Sequence, residues 1–131
     1  MKKIPTIYCD IDGVVLKKFP FPIWDKFGEP NENMIRVIKT LAHDFNIIFI
    51  TGRWNIYQEK TESLIRNLFP DINCKVFCKP CDYPGSTAEY KVSVVKDLES
   101  QGYDFHLGLD DHGTIVRLLH HNGMLVAQVV G

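Results

Sequence analysis

Three short clusters carry the residues best suited to chemistry: Asp10-Ile11-Asp12-Gly13, Thr51-Gly52-Arg53 and Asp110-Asp111. Each lies at the end of an apolar run, and in an open parallel sheet ligands bind beyond the carboxyl ends of the strands. Four carboxylates, a hydroxyl and a guanidinium would then converge on one edge. Carboxylates crowded in this way raise one another's pKa values unless a cation neutralises them. A divalent metal is the simplest solution. All-oxygen donors suit magnesium, which keeps several waters and accepts phosphate oxygens as further ligands. Phosphoryl chemistry follows: one carboxylate can attack phosphorus to give an acyl phosphate that water hydrolyses. A second can protonate the leaving oxygen and later activate the water.

Alternation sets the geometry of the first pair, because residues two apart on an extended strand share a side while Ile11 points away. Asp10 and Asp12 can thus act on one phosphate, and Gly13 lets the backbone turn sharply and leaves room for the substrate. Thr51 can offer its hydroxyl, with the neighbouring Gly52 backbone, to a phosphate oxygen at the start of the next helix, where the dipole favours anions. Arg53 can add a forked contact to phosphate. Its alternative is a structural ion pair with Asp25 or Glu59.

The elements that must hold these residues are legible as runs. Residues 6–11, 46–50, 75–78, 105–109 and 125–130 are apolar stretches of strand length. Between them lie segments with helical spacing: Met34, Ile35, Val37, Ile38 and Leu41; Ile56, Tyr57, Leu64, Ile65 and Leu68; Tyr90, Val94, Val95 and Leu98; Ile115, Val116, Leu118 and Leu119. Strand and helix alternate, which predicts a three-layer α/β/α Rossmann-like fold around a five-stranded, mainly parallel sheet. Asn31 or Asn33 can cap the first helix and Ser86 or Thr87 the third, with Gly102 and Gly123 closing the third and fourth. Residues 17–30 and 79–85 are proline-containing and read as irregular.

Composition narrows the function further. The 131 residues are 45% hydrophobic and 24% charged, which fits one ordinary domain over residues 1–131. Fifteen Lys and Arg against sixteen Asp and Glu give a net charge of −1, which excludes a broadly basic nucleic-acid-coating protein. The basic start runs directly into an apolar stretch that ends at Asp10, too short for a signal or a membrane span, so a cytoplasmic location is expected. Cys9, Cys74, Cys78 and Cys81 then read as reduced thiols. The last three do not have the paired spacing of a zinc ribbon, and Cys9 reads as a small core filler. His120 and His121 read as a solvated helix end, while His112, beside Asp111, is a candidate substrate contact. Phe19, Phe21, Trp24 and Phe27 suggest packing at the sheet edge rather than base stacking.

Taken together, Tyr8-Cys9-Asp10-Ile11-Asp12-Gly13-Val14, Phe49-Ile50-Thr51-Gly52-Arg53 and Leu107-Gly108-Leu109-Asp110-Asp111 resemble motifs one, two and four of the haloacid dehalogenase-like hydrolases. The remaining motif is a lysine before the last of these strands. Lys91 and Lys96 are available, and Lys91 is favoured because it lies at the start of its helix, near the strand edge. The resemblance implies that Asp10 is the nucleophile, Asp12 the general acid and base, Thr51 a phosphate ligand and Lys91 the neutralising cation. It places magnesium on Asp10, the backbone carbonyl of Asp12 and Asp110, with Asp111 reaching it through water.

Within that superfamily the chain is most similar to the phosphatase domains of bacteriophage polynucleotide kinases and their free-standing relatives. The similarity rests on Thr51-Gly52-Arg53, Lys79-Pro80, Ala88-Glu89-Tyr90-Lys91, the run from Asp110 to Val116 and a final strand after Asn122-Gly123. His112 stands where those relatives often carry Arg, and Thr87 where they often carry an acidic residue. No GxxxxGK[ST] loop occurs, which excludes kinase activity. The chain leaves no room for a cap domain, and only residues 17–30 could form a small flap beside the site. An open site suits a large substrate, or one whose lid an oligomeric partner supplies. The expected activity is therefore a magnesium-dependent phosphatase acting on a nucleic acid 3′-phosphate or a nucleotide. The alternatives are a phosphatase for a sugar phosphate or phosphoprotein, and a catalytically idle binding module.

Overall fold

The five apolar runs form strands β1 (Ile4–Cys9), β2 (Asn46–Trp54), β3 (Lys75–Lys79), β4 (Tyr103–Asp110) and β5 (Val126–Gln128). The helices are α1 (Glu32–Leu41), α2 (Gln58–Leu68), α3 (Thr87–Ser100) and α4 (Gly113–His121), and a single 3-10 turn at Asn55–Tyr57 leads into α2. The computed structural model describes residues 2–19 and 26–130. Every strand pairing among them is parallel, in the order β3-β2-β1-β4-β5. The chain winds outward from β1 through β2 to β3, then returns to the other side of β1 for β4 and β5. The crevice between β1 and β4, where the direction reverses, is the place where such sheets bind ligands.

Period-two alternation along these buried strands divides the core into two layers. Ile7, Cys9, Ile47 and Phe49 pack with Ile35 and Ile38 of α1 and Ile65 of α2. Tyr8, Ile48 and Ile50 pack instead with Tyr90, Val95 and Leu98 of α3 and with Ile115 and Leu119 of α4. The architecture is the expected three-layer α/β/α fold, and no cap domain occurs among the described residues. No helix among them is long and apolar enough to cross a membrane.

Capping chemistry fixes where the helices begin. Asn31 caps α1, its Oδ1 accepting the Met34 N–H at 3.4 Å, and Glu32 in the first turn and Lys39 in the last complement the helix dipole. Ser86 caps α3, its Oγ accepting the Glu89 N–H at 3.1 Å. This Ser-x-x-Glu start sets the phase of α3 and so the direction in which Lys91 points.

One expected boundary moves, and it matters to the site. β2 does not stop at Ile50; it continues through Thr51, Gly52 and Arg53 to Trp54, which pairs with Lys79 across a register shift. Thr51 therefore lies within a strand rather than at a helix N-terminus, and the dipole argument for anion binding there falls away. Ile56 and Tyr57, assigned by spacing to the second helix, lie in the 3-10 turn, with Ile56 exposed. Of the expected flap, Pro20, Phe21, Pro22 and Trp24 lie outside the described residues, as does Asp25. Its base is closed by the Lys17 N–H on the Glu29 carbonyl and the Asn31 N–H on the Val15 carbonyl, both at 2.7 Å.

Candidate active site

Asp10 follows β1 and Asp110 ends β4, so the two neighbouring strands deliver a carboxylate each to the switch point. Both are buried, and Lys91 on α3 reaches between them from the helical layer. Its Nζ lies 3.1 Å from Asp10 Oδ1 and 2.9 Å from Asp110 Oδ2, with the lysine only 1% exposed. Lys96, the alternative, is exposed on the outer side of α3. Burial alone would lower the Lys91 pKa, but Asp10 and Asp110 outweigh it and hold the ammonium above the ordinary lysine value. For Asp10 the balance goes the other way: burial, reinforced by Asp110 and opposed by Lys91, pushes its carboxyl up to about 8.

The hydrogen bonds on the two carboxylates are unevenly distributed. Asp10 Oδ1 accepts the Ile11 N–H at 2.8 Å as well as Lys91, while no described residue donates to Oδ2. Asp110 Oδ2 accepts Lys91 and the Tyr8 hydroxyl, and Oδ1 accepts the His112 N–H at 2.9 Å. Asp111 stands beside them, bridged to Lys18 at 3.2 Å. Asp10, Asp110 and Asp111 each offer an oxygen, and the three atoms lie within 4.8 Å of one another. They form the group of potential metal-ligating side chains among the described residues. The three late cysteines do not converge in this way: Cys78 is buried, Cys74 half-buried and Cys81 exposed. Gly13, at φ +85°, makes the close turn after Asp12, and a Cβ there would collide with the Asp111 carboxylate.

Asp12 is turned elsewhere. Its two oxygens meet Arg53 in a forked pair, Nη2 to Oδ1 at 2.7 Å and Nε to Oδ2 at 2.8 Å. Arg53 is 2% exposed, donates also to the Lys26 carbonyl at 2.8 Å and lies 4.4 Å from the Phe27 ring centre. The fork expected for phosphate is thus engaged by the partner carboxylate, and Glu59 sits exposed on the first turn of α2. The Asp12 carboxylate lies outside the metal-ligating group. The Thr51 hydroxyl is buried and accepts the Arg53 N–H at 3.1 Å, so it holds the arginine's backbone. A Cβ on Gly52 would come within 2.8 Å of the Thr87 side chain, which explains a glycine between the two. Sequence reasoning missed Tyr8, and it weighed Phe27 between packing and base stacking without finding Arg53 over its ring. The signal for Tyr8 was available, since it lies two residues before Asp10 and so shares its side of the strand. His112 is exposed, and its backbone rather than its imidazole reaches Asp110.

No protein-family model matches the chain, and no curated protein matches it either. Solved structures do. A chain in the structure of the Pnkp1/Rnl/Hen1 RNA repair complex superimposes with a TM-score of 0.81 at 19% identity, covering 97% of this chain and 42% of that one. A chain from a second structure of the Pnkp1/Rnl/Hen1 complex gives 0.82 at 20% identity, covering 97% and 46%. This chain therefore spans less than half the length of these two chains, and what it shares with them is the fold.

Proposed function

We propose that the chain is a magnesium-dependent phosphomonoesterase of the haloacid dehalogenase-like kind, working through an aspartyl phosphate. One observation carries the reading: a buried ammonium, Lys91, held between two buried carboxylates at the switch point of the sheet, with a third carboxylate alongside. Three hard oxygen donors in that space fit a magnesium ion, and Asp10, Asp110 and Asp111 would hold it. When bound, magnesium would supply positive charge to the phosphoryl oxygens.

The remaining steps belong to the chain's own residues. Asp10 Oδ1 is fixed by Lys91 and the Ile11 N–H, which leaves Oδ2 to attack phosphorus. The bond from Asp10 to phosphorus forms as the bond to the leaving oxygen breaks, and Asp12, which enters the step protonated on one oxygen while Arg53 keeps hold of the other, gives the leaving oxygen that proton. Asp12 then takes a proton from water, whose oxygen attacks the same phosphorus. The bond to Asp10 breaks, inorganic phosphate leaves and the carboxylate is regenerated. Arg53 grips both oxygens of Asp12 and so positions this acid and base.

The substrate we infer is a nucleic acid 3′-phosphate or a nucleotide. An edge without a cap among the described residues suits a large phosphate ester, and the chains that share the fold sit in an RNA repair complex. Phosphate release with magnesium, from a panel of 3′-phosphorylated oligonucleotides, nucleotides, sugar phosphates and phosphopeptides, tests this. Preference for the first two classes is expected. Preference for a sugar phosphate or phosphopeptide would keep the reaction and replace the substrate, and no release from any member would favour a binding module.

A further inference from the structure

Tyr8 is wholly buried, and its hydroxyl donates to Asp110 Oδ2, the oxygen that also takes Lys91. The sheet is shaped to admit it. Gly108 is its partner in register on β4, and a Cβ there would lie 3.1 Å from the Tyr8 ring and 2.7 Å from Met124 Sδ. The ring is also 5.5 Å from Lys91 Nζ, so phenol and ammonium approach the carboxylate together.

An ionised carboxylate has about four lone-pair sites, two on each oxygen. On Asp110, Tyr8 and Lys91 occupy both sites of Oδ2, and the His112 N–H occupies one of Oδ1. Among the described residues, a single site on Oδ1 is left for a cation. We infer that Tyr8 is a positioning residue that restricts Asp110 to one-oxygen ligation and thereby selects magnesium over calcium. Magnesium needs near-octahedral geometry with single oxygens, whereas calcium takes six to eight ligands and accepts both oxygens of one carboxylate. Removal of the phenol would free a second site on Oδ2 and let Asp110 offer both oxygens. The inference rests on the proposed magnesium site and adds to it a cause for metal choice.

The test is direct binding of magnesium and of calcium, each alone, to metal-free wild type and Tyr8→Phe, followed by calorimetry. Loss of an outer hydrogen-bond partner typically weakens metal binding about 10- to 100-fold. Tyr8→Phe should therefore bind magnesium at least about tenfold more weakly and calcium no more weakly than wild type. An equal change in both metals, or in neither, overturns the role of Tyr8. Wild type that binds neither metal overturns the magnesium site itself, so the two failures are distinguishable. If Tyr8→Phe does not fold, wild type still decides: calcium binding as tight as magnesium contradicts a one-oxygen Asp110.

Discussion

Replacement of Lys91 by Met keeps a long apolar stem where the lysine stem packs and removes the ammonium that lies 3.1 Å from Asp10 and 2.9 Å from Asp110. Two buried carboxylates are then left facing each other with no charge between them. Removing one partner from a buried ion pair costs about 3–5 kcal/mol, because the remaining charge is uncompensated. A 131-residue chain unfolds with an entropy of about 0.28 kcal/mol/K, so the melting temperature should fall by about 11–18 °C in the absence of divalent ions. Two further arms identify the cause. Lowering the pH from 8 to 5 protonates Asp10, whose carboxyl burial pushes up to about 8, and should shrink the deficit. Magnesium, which can occupy the space between Asp10, Asp110 and Asp111, should raise the variant's melting temperature more than that of wild type. The assay is thermal denaturation by circular dichroism across this grid. A variant that melts within about 3 °C of wild type without metal, or one whose deficit is the same at both pH values, would refute the reasoning.

Other consequences are equally concrete. Gly13→Ala forces an L side chain into φ +85° and into the Asp111 carboxylate, so a loss of at least about 1–2 kcal/mol and weaker magnesium binding should appear in melts and calorimetry. Asp10 titrates near 8 in the folded chain against 3.8 ordinarily. The folded state thus binds that proton more tightly than the unfolded one, and the metal-free protein should lose stability as pH rises from about 4 to about 8. Asp10→Asn should flatten this loss in urea titrations with chelator, and an unchanged slope would contradict it. Burial raises Cys74 and Cys78 to about 11, so only about a thousandth of each is thiolate at pH 8. Iodoacetamide should label exposed Cys81 first, and mass spectrometry showing Cys78 labelled as fast would count against the packing described.

Much of this was legible because strand ends and strand alternation are simple signals. The five apolar runs bring Asp10 and Asp110 to one edge of the sheet, and the start of the third helix near that edge favours Lys91, which is buried, over Lys96, which is exposed. Less legible was anything set by a long-range partner. Tyr8 reads as one more core residue until Gly108 and Asp110 are seen across the strand pair. The Asp12–Arg53 fork joins residues 41 apart, and a forked guanidinium fits a carboxylate as well as a phosphate. The extension of β2 through Thr51-Gly52-Arg53 depends on Lys79 offering Trp54 a partner, which no local propensity encodes.

The central claim is a covalent bond between phosphorus and Asp10, and acid quenching of a reacting mixture tests it most directly. Wild type incubated with magnesium and its preferred phosphate ester should carry one phosphoryl group on the peptide that contains Asp10, and Asp10→Asn should carry none and release no phosphate. Turnover by Asp10→Asn, or a phosphoryl group trapped on another residue, would contradict the account.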